Sequence, residues 1–224
     1  MEYDVIATGS SGNAVVIGGN ILVDVGVPFK TLSHVYKNLK LVLLTHIHSD
    51  HFQPSTIKRL ADERATLRFG CCEWLVMPLV EAGVPKHSID VYEIDKTYDY
   101  GTFKISPIRL CHNVPQCGYR IFMGNEKALY ATDTANLDGI EASDYDLYLI
   151  EGNYTEEDLQ ERINAKLETG EYCYELNVAN RHLSKEQAEE FLLENMGENS
   201  RYEYLHGHRE KSERENENVQ QEDV

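Results

Sequence analysis

Long hydrophobic runs are missing from this sequence. No apolar stretch approaches the roughly 18 residues that would read as a membrane span, and the start, MEYDVIATGS, has neither a basic segment nor an apolar one behind it. The expectation is a cytoplasmic protein, neither exported nor held in a membrane. Positive charge is also scarce: 21 Lys and Arg stand against 38 Asp and Glu, a formal net charge of −17. Such a chain does not coat DNA or RNA through its overall field, because polyanion binding relies on Lys and Arg neutralising phosphates. A local cationic pocket made by bound metal is still compatible with that balance. The five cysteines are odd in number and form no CxxC pair. Cys71 and Cys72 are adjacent, which suits neither an ordinary disulfide nor a zinc knuckle, so reduced thiols are expected. There is no internal repeat and no Pro-rich linker. One domain over residues 1–208 is expected, followed by a polar, acidic tail without aromatics over 209–224, which reads as disordered.

Hydrophobic residues make up 42 % of the chain, enough for a substantial core. Up to about residue 150 the pattern is mostly strand. Short apolar runs at 4–7, 14–17, 21–24, 41–44, 67–71, 91–94, 102–110, 118–123, 128–131 and 145–150 are punctuated by turn signals such as GGN and GNEK. Helices are expected at 55–65, at 73–82 with Pro78 as a kink, at 155–167 with Leu159, Ile163 and Leu167 on one stripe, and at 184–195. The last opens with Ser184 and Gln187 at capping-box spacing. A final strand is expected at 202–205. This mixture suggests stacked sheets with helices outside.

The densest chemistry is LVLLTHIHSDH, residues 41–51. Three of only nine histidines fall within six positions, directly after a buried strand. Imidazole and carboxylate suit zinc, iron or manganese. His46 and His48, two apart at a strand end, are placed to chelate one ion, and Asp50 and His51 to reach a second. Thr45 is placed to orient the turn through its hydroxyl. A His-rich polar loop with no ligand role is the plainer alternative, but HxHxDH after a buried strand is a specific pattern.

HIHSDH resembles the metal-binding motif of the metallo-β-lactamase superfamily. That resemblance implies an α+β fold, a four-layer αββα sandwich with its metal site at one edge between the sheets. It also implies two divalent metal ions, zinc or manganese, and further ligands at later strand ends. RLCHNVPQCGYRIF supplies His112, YATDTAN supplies Asp133, and RYEYLHGHRE supplies His206 and His208. On the superfamily's pattern His46, His48 and His112 hold one metal. Asp50, His51 and the last histidine hold the other, and Asp133 bridges them. His206 is the preferred last ligand, with His208 as the alternative.

Stretches outside the ligands resemble a phage-associated, bacterial, exonuclease-like branch. They are TGSSGNAVVI with ILVDVG, HNVPQCGYRI (with Asn113 where an aspartate is usual), LIEGNY and NRHLSKEQA, and the similarity spans roughly residues 5 to 210. Where flavodiiron oxygen reductases usually carry a glutamate this chain has His48, which favours hydrolysis. The implied activity is a dinuclear metal-dependent phosphodiesterase or nuclease, with a metal-bridging hydroxide attacking the phosphodiester. Nucleic-acid ends or short oligonucleotides are the expected partners. A thioester or lactone hydrolase on the same metals, and a metal-stabilised binding protein without catalysis, are the alternatives. Asp50 is the candidate to orient or deprotonate the water. His182, in the HLS segment, is the candidate to protonate the leaving oxygen or bind the phosphate. Asp24, Glu151 and Asn153, all just past strands, are candidates to hold the ligands by hydrogen bonds. Ser10, Ser11 and Asn13 are expected at the rim, His34 and His87 on the surface, and Cys111 in the core. Lys58, Arg59, Arg64, Arg120 and Arg181 are candidates for a basic rim.

Overall fold

The computed structural model describes residues 1–170 and 172–207. The expected tail and His208 lie outside the described residues. Two six-stranded sheets stack face to face. Sheet one contains β1 (Tyr3–Ala7), β2 (Ala14–Ile17), β3 (Ile21–Val23), β4 (Leu41–Leu43), β5 (Arg68–Cys72) and β6 (Ile89–Tyr92), in that spatial order. Sheet two contains β7 (Tyr98–Asp99), β8 (Lys104–Arg109), β9 (Cys117–Met123), β10 (Glu126–Ala131), β11 (Leu147–Glu151) and β12 (Arg201–Leu205), also in chain order. Each sheet starts antiparallel and ends parallel: β3 to β6 run parallel, as do β10 to β12.

Strand periodicity divides the apolar residues among three cores. Leu41 and Leu43 face the layer between the sheets, with Val23 from β3 and Tyr119, Ile121, Tyr130 and Leu149 from sheet two. Val42 and Leu44 face the other way, onto Ile57 and Leu60 of α1 (Pro54–Glu63) and Leu79 of α2 (Val76–Glu81). A strand buried on both faces has to be apolar throughout, which explains LVLL. Full burial of each such side chain contributes about 1.5–3 kcal/mol. On the far face of sheet two, Leu129, Tyr148 and Ile150 pack against Ala188, Phe191 and Leu192 of α5 (Lys185–Asn195). The order is therefore helix, sheet, sheet, helix, the expected α+β four-layer sandwich. Among the described residues no helix is long and apolar enough to cross a membrane.

Local chemistry fixes the helix ends. Ser184 and Gln187 form the expected capping box on α5. Thr155 caps α3 (Glu156–Thr169) by accepting from the Asp158 N–H, and Gly170 closes it in the left-handed conformation. Pro54 occupies the first turn of α1, where its missing N–H costs nothing.

Three expectations need correction. Pro78 kinks nothing: a short 3-10 turn (Glu73–Leu75) precedes α2, so Pro78 falls in the first turn, where no intrahelical donor is needed. Leu167 is exposed, and Leu159 is the buried residue of α3, which is followed by the one-turn α4 (Glu175–Val178) and does not lie flat on a core. Cys111 is also exposed, because it follows the end of β8 where the chain leaves the sheet. Cys71, Cys72 and Cys117 are buried.

Strand direction decides where the chemistry goes. β1, β3, β4, β8, β10, β11 and β12 all point their carboxyl ends at one edge of the sandwich. Ligand sites in open α/β sheets favour such a crevice.

Candidate metal centre

The loops leaving those carboxyl ends carry His46, His48, Asp50 and His51 (after β4), His112 (after β8), Asp133 (after β10), Glu151 and Asn153 (from β11) and His206 (after β12). His182 joins them from the turn before α5. The structure brings all of these side chains together in two donor sets.

In the first set, His48 Nδ1 lies 3.0 Å from His46 Nε2 and 3.3 Å from His112 Nε2. Three ring nitrogens face one point. In the second set, Asp50 Oδ2 lies 3.6 Å from His51 Nε2 and 3.5 Å from His206 Nε2. Asp133 stands between the sets, 2.9 Å from His51 Nε2 through Oδ2 and 3.4 Å from His206 Nε2 through Oδ1. His46, His51 and Asp133 also converge as a group. Donors about 2.0–2.1 Å from a tetrahedral cation sit roughly 3.3 Å from one another, which is the spacing here.

The remaining nitrogen of each ring, His48 apart, is held from behind. Asp24 is fully buried and accepts from the Thr45 N–H (2.9 Å), the Thr45 hydroxyl (3.0 Å) and His51 Nδ1 (2.7 Å). The Thr45 hydroxyl also meets His46 Nδ1 at 2.9 Å, so a single carboxylate orients two rings. His112 Nδ1 donates to the Arg181 carbonyl at 3.1 Å. Glu151 is fully buried as well: Oε2 accepts from the Thr134 and Leu183 N–H groups, and Oε1 from His182 Nδ1 at 2.7 Å. His206 Nδ1 lies 3.2 Å from the same Oε1, and Asn153 donates to the His206 carbonyl at 2.9 Å. Carboxylate and carbonyl partners of this kind fix ring tautomers and raise ligand basicity.

Backbone strain gathers at the same edge. Asp24, Asp133 and His206 all adopt positive φ, at 61°, 55° and 55°. Each ends or follows a strand, and the left-handed turn aims its side chain across the crevice instead of along the sheet. Asp and His tolerate this region better than most residues, at a cost on the order of 1–3 kcal/mol each. Gly26 is needed where the loop after β3 meets the HIHSDH loop, because a Cβ there would overlap the Asp50 carbonyl.

Electrostatics separate the two sets. Burial, with the neighbouring His51, pushes His46 down to about 2, and burial lowers His112. Burial opposes charge on His51 too, but Asp133 and Asp24 outweigh it and hold this imidazole well above its usual value. His206 is pulled up to about 10, burial being overcome by Asp133, Asp50 and Glu151. The carboxyls of Asp50, Asp133 and Glu151 are raised by burial and lowered more by the surrounding imidazoles, so all three sit below the usual carboxylate range. The centre attracts positive charge.

A divalent cation fits this donor set. Asp133 Oδ2 and His206 Nε2 are buried without a hydrogen-bond partner, although each faces other donor atoms. Orphaned polar atoms in a core are costly, and imidazole with carboxylate is a suitable set for zinc or manganese.

Several contributors were not legible in the sequence. Asn13, expected at the rim with Ser10 and Ser11, is buried, and its amide donates to the Gly9 and Asp50 carbonyls at 3.1 and 3.2 Å. Ser10 and Ser11 are exposed. The Thr8 hydroxyl accepts from the His206 N–H at 2.6 Å, and Tyr130 reaches Asp24 from sheet two at 3.4 Å. Thr8 opens the TGSSGN turn, a signal that was available; Tyr130 carried none beyond strand periodicity. His34 and His87 are away from the centre, His34 beside Asp4. No basic rim forms from Lys58, Arg59 and Arg64: the first two pair with Asp62 and Glu63, and Arg64 donates to main-chain carbonyls.

Comparison with known proteins agrees with this architecture. The model of the beta-lactamase superfamily domain matches residues 20–200. No curated protein matches the chain in sequence. Among solved structures, the metallo-beta-lactamase fold protein YhfI from Bacillus subtilis superposes with a TM-score of 0.70 at 17 % identity, covering 98 % of this chain and 91 % of that one. Zn(2+)-bound PqqB from Methylobacterium extorquens gives 0.66 at 11 % identity, covering 92 % and 89 %. The short form of human tRNase Z gives 0.62 at 14 % identity, covering 92 % and 93 %.

Proposed function

Because the chain belongs to the beta-lactamase superfamily domain family, we propose that it is a dinuclear metal-dependent hydrolase of phosphodiesters, a phosphodiesterase or nuclease. One observation carries this reading: two sets of nitrogen and oxygen donors converge on a buried aspartate, Asp133, whose Oδ2 has no hydrogen-bond partner. The fold shared with tRNase Z and with a zinc-bound protein supports it, as do the stretches resembling a phage-associated, bacterial, exonuclease-like branch. His46, His48 and His112 would hold one cation and Asp50, His51 and His206 the other, with Asp133 reaching both.

Two such cations, zinc or manganese, would lower the pKa of a bound water toward neutrality and neutralise charge on the phosphate oxygens. The chain's own groups do the rest. Asp24 locks His51 directly and His46 through Thr45, so both rings present Nε2 to the crevice. The Asp50 carboxylate is held ionised and partly open to the crevice, which suits it to orient or deprotonate the attacking water. Glu151 fixes His182 through Nδ1, which leaves Nε2 to protonate the leaving oxygen or to bind the phosphate. His182 stacks on His206 with ring centroids 5.2 Å apart, which places it beside the ligands.

The test is hydrolysis of bis(p-nitrophenyl) phosphate by zinc- or manganese-loaded protein, run beside a thioester and a lactone. Asp50→Ala is expected to lose at least a hundredfold in kcat, and His182→Ala about ten- to a hundredfold, with metal retained in the latter. Turnover of the thioester or lactone, with none of the phosphodiester, would transfer the site to carboxylic esters. Full metal loading without any turnover would leave a metal-stabilised binding protein.

A further inference from the structure

A second cleft, of about 360 Å³, opens on the outer face of sheet two next to the centre. Its floor is made by the loops that carry two of the ligands. Cys111 lines it and directly precedes His112; Asn136 lines it three residues after Asp133. The loops are tied together: the Cys111 N–H donates to the Thr134 hydroxyl at 3.0 Å, and the Ala135 N–H to the Cys111 carbonyl at 2.8 Å. Three residues span at most about 11 Å, so the cleft lies within one or two nucleotides of the centre.

Two arginines face it. Arg109 is exposed at the end of β8, and Arg120 reaches in from β9. In a chain of net charge −17 this pairing is unusual. Lys58, Arg59, Lys96, Lys104 and Lys166 each sit within 3.3 Å of a carboxylate. Arg120 is less committed. It donates to the Glu141 carbonyl at 3.0 Å, and its ion pair with Asp95 is long, at 3.8 Å, to a side chain that is 74 % exposed. With the Arg120 side chain only 19 % exposed, the water-exposed Asp95 and the 3.8 Å separation keep that pair weak, so a phosphate able to take a guanidinium fork in two hydrogen bonds competes well. Asp95 and Asp138, the carboxylates of the cleft, limit the site to about one phosphate.

We propose that this cleft is a phosphate subsite that holds the phosphodiester neighbouring the one being cleaved. A single-stranded oligonucleotide, not an isolated diester, is then the preferred substrate. This rests on the phosphodiesterase reading above.

The test uses the full metal-loaded chain with a fluorescein-labelled phosphorothioate oligothymidine, which resists hydrolysis, and reads anisotropy across a salt series. Arg109→Glu is expected to weaken binding tenfold or more and to lower the slope of log K against log salt by about 0.7, the loss of one single-strand phosphate contact. Arg109→Lys should keep most of the affinity. In turnover, the ratio of kcat/KM for TpTpT to that for bis(p-nitrophenyl) phosphate should fall about tenfold in Arg109→Glu. Thermal melting checks that each variant is folded, and Arg120→Gln repeats the test from the other side of the cleft. Unchanged affinity and slope in folded Arg109→Glu and Arg120→Gln would sink the subsite, whatever the turnover. Equal losses on both substrates would also sink it, and would make the arginines supports of the centre. Arginine-dependent binding in a protein that cleaves no phosphodiester would keep the subsite and overturn the phosphodiesterase reading instead.

Discussion

The two donor sets are built differently. Two of the three members of the first, His46 and His48, come from one turn after β4, and burial lowers the proton affinity of His46 and His112. The second draws its Asp50 and His51 from that same turn. It takes His206 from the end of β12, more than 150 residues later, and its imidazoles are pulled toward the protonated form by surrounding carboxylates. His46 and His112 are ready to ligate, whereas His51 and His206 must exchange protons for a cation. What one half gains from burial, the other gains from charge, and two buried carboxylates hold them: Asp24 behind the turn that carries His46 and His51, Glu151 behind His206.

The largest effect should come from removing those carboxylates. Asp24→Ala leaves the Thr45 N–H and His51 Nδ1 without their acceptor, and Glu151→Ala does the same to two backbone N–H groups and His182. Each is expected to cost about 3–5 kcal/mol, since breaking a buried charged network strands its partners. For a domain of this size that is a fall in Tm of roughly 10 °C, read by thermal unfolding. A loss under about 1 kcal/mol in either variant would break the symmetry drawn between them.

A smaller effect sharpens the comparison. Thr45→Val removes the hydroxyl between Asp24 and His46, and Asn153→Ala removes a donor to the His206 carbonyl. Each should weaken metal affinity about ten- to a hundredfold. Titration with zinc against a chelator should show Thr45→Val impairing one equivalent and Asn153→Ala the other. Equal effects on both equivalents would mean that the sets are not separable.

The pH dependence of stability should be gentler still. In the chelated chain, the raised pKa of His206 contributes stability that is fully present below the unfolded value of about 6.5 and lost as pH rises through about 10. The depressed carboxyls of Asp50, Asp133 and Glu151 contribute stability present above about 4–4.5 and lost as pH falls. The burial-lowered His46 and His112 contribute stability present above about 6.5 and lost as pH falls below it, so chelated protein should melt highest near pH 6–7 and lower at pH 9 and at pH 4. Zinc, taking the place of the protons, should flatten the alkaline side, and His206→Gln should flatten it without zinc. An alkaline fall unchanged in that variant would place the titrating group elsewhere.

The same contrast explains what could be read in the sequence. HIHSDH was legible because its donors are contiguous and follow a run that only a doubly buried strand requires. Stacked sheets with helices outside were legible from the short apolar runs, the helical stripes and the capping box at Ser184, whereas the four-layer order was implied by the family resemblance. The strand order was not legible, and the meeting of His112, Asp133 and His206 came only through family resemblance, since nothing local to those residues encodes a partner 60 to 160 positions away. Buried Asn13, the left-handed turns at Asp24, Asp133 and His206, and the Tyr130 contact are properties of close approach between loops, and periodicity carries no trace of them. Cys111 and Leu167 were misplaced for a related reason: apolar character marks a candidate for burial, but the neighbour that buries it is chosen by the fold.

Elemental analysis of the purified protein, reconstituted with zinc or manganese and compared with Asp133→Ala, tests the central claim most directly. The account predicts about two equivalents in the wild type and at most one tightly held in the variant. One equivalent or none in reconstituted wild-type protein, or two retained without Asp133, would contradict a dinuclear centre bridged by that carboxylate.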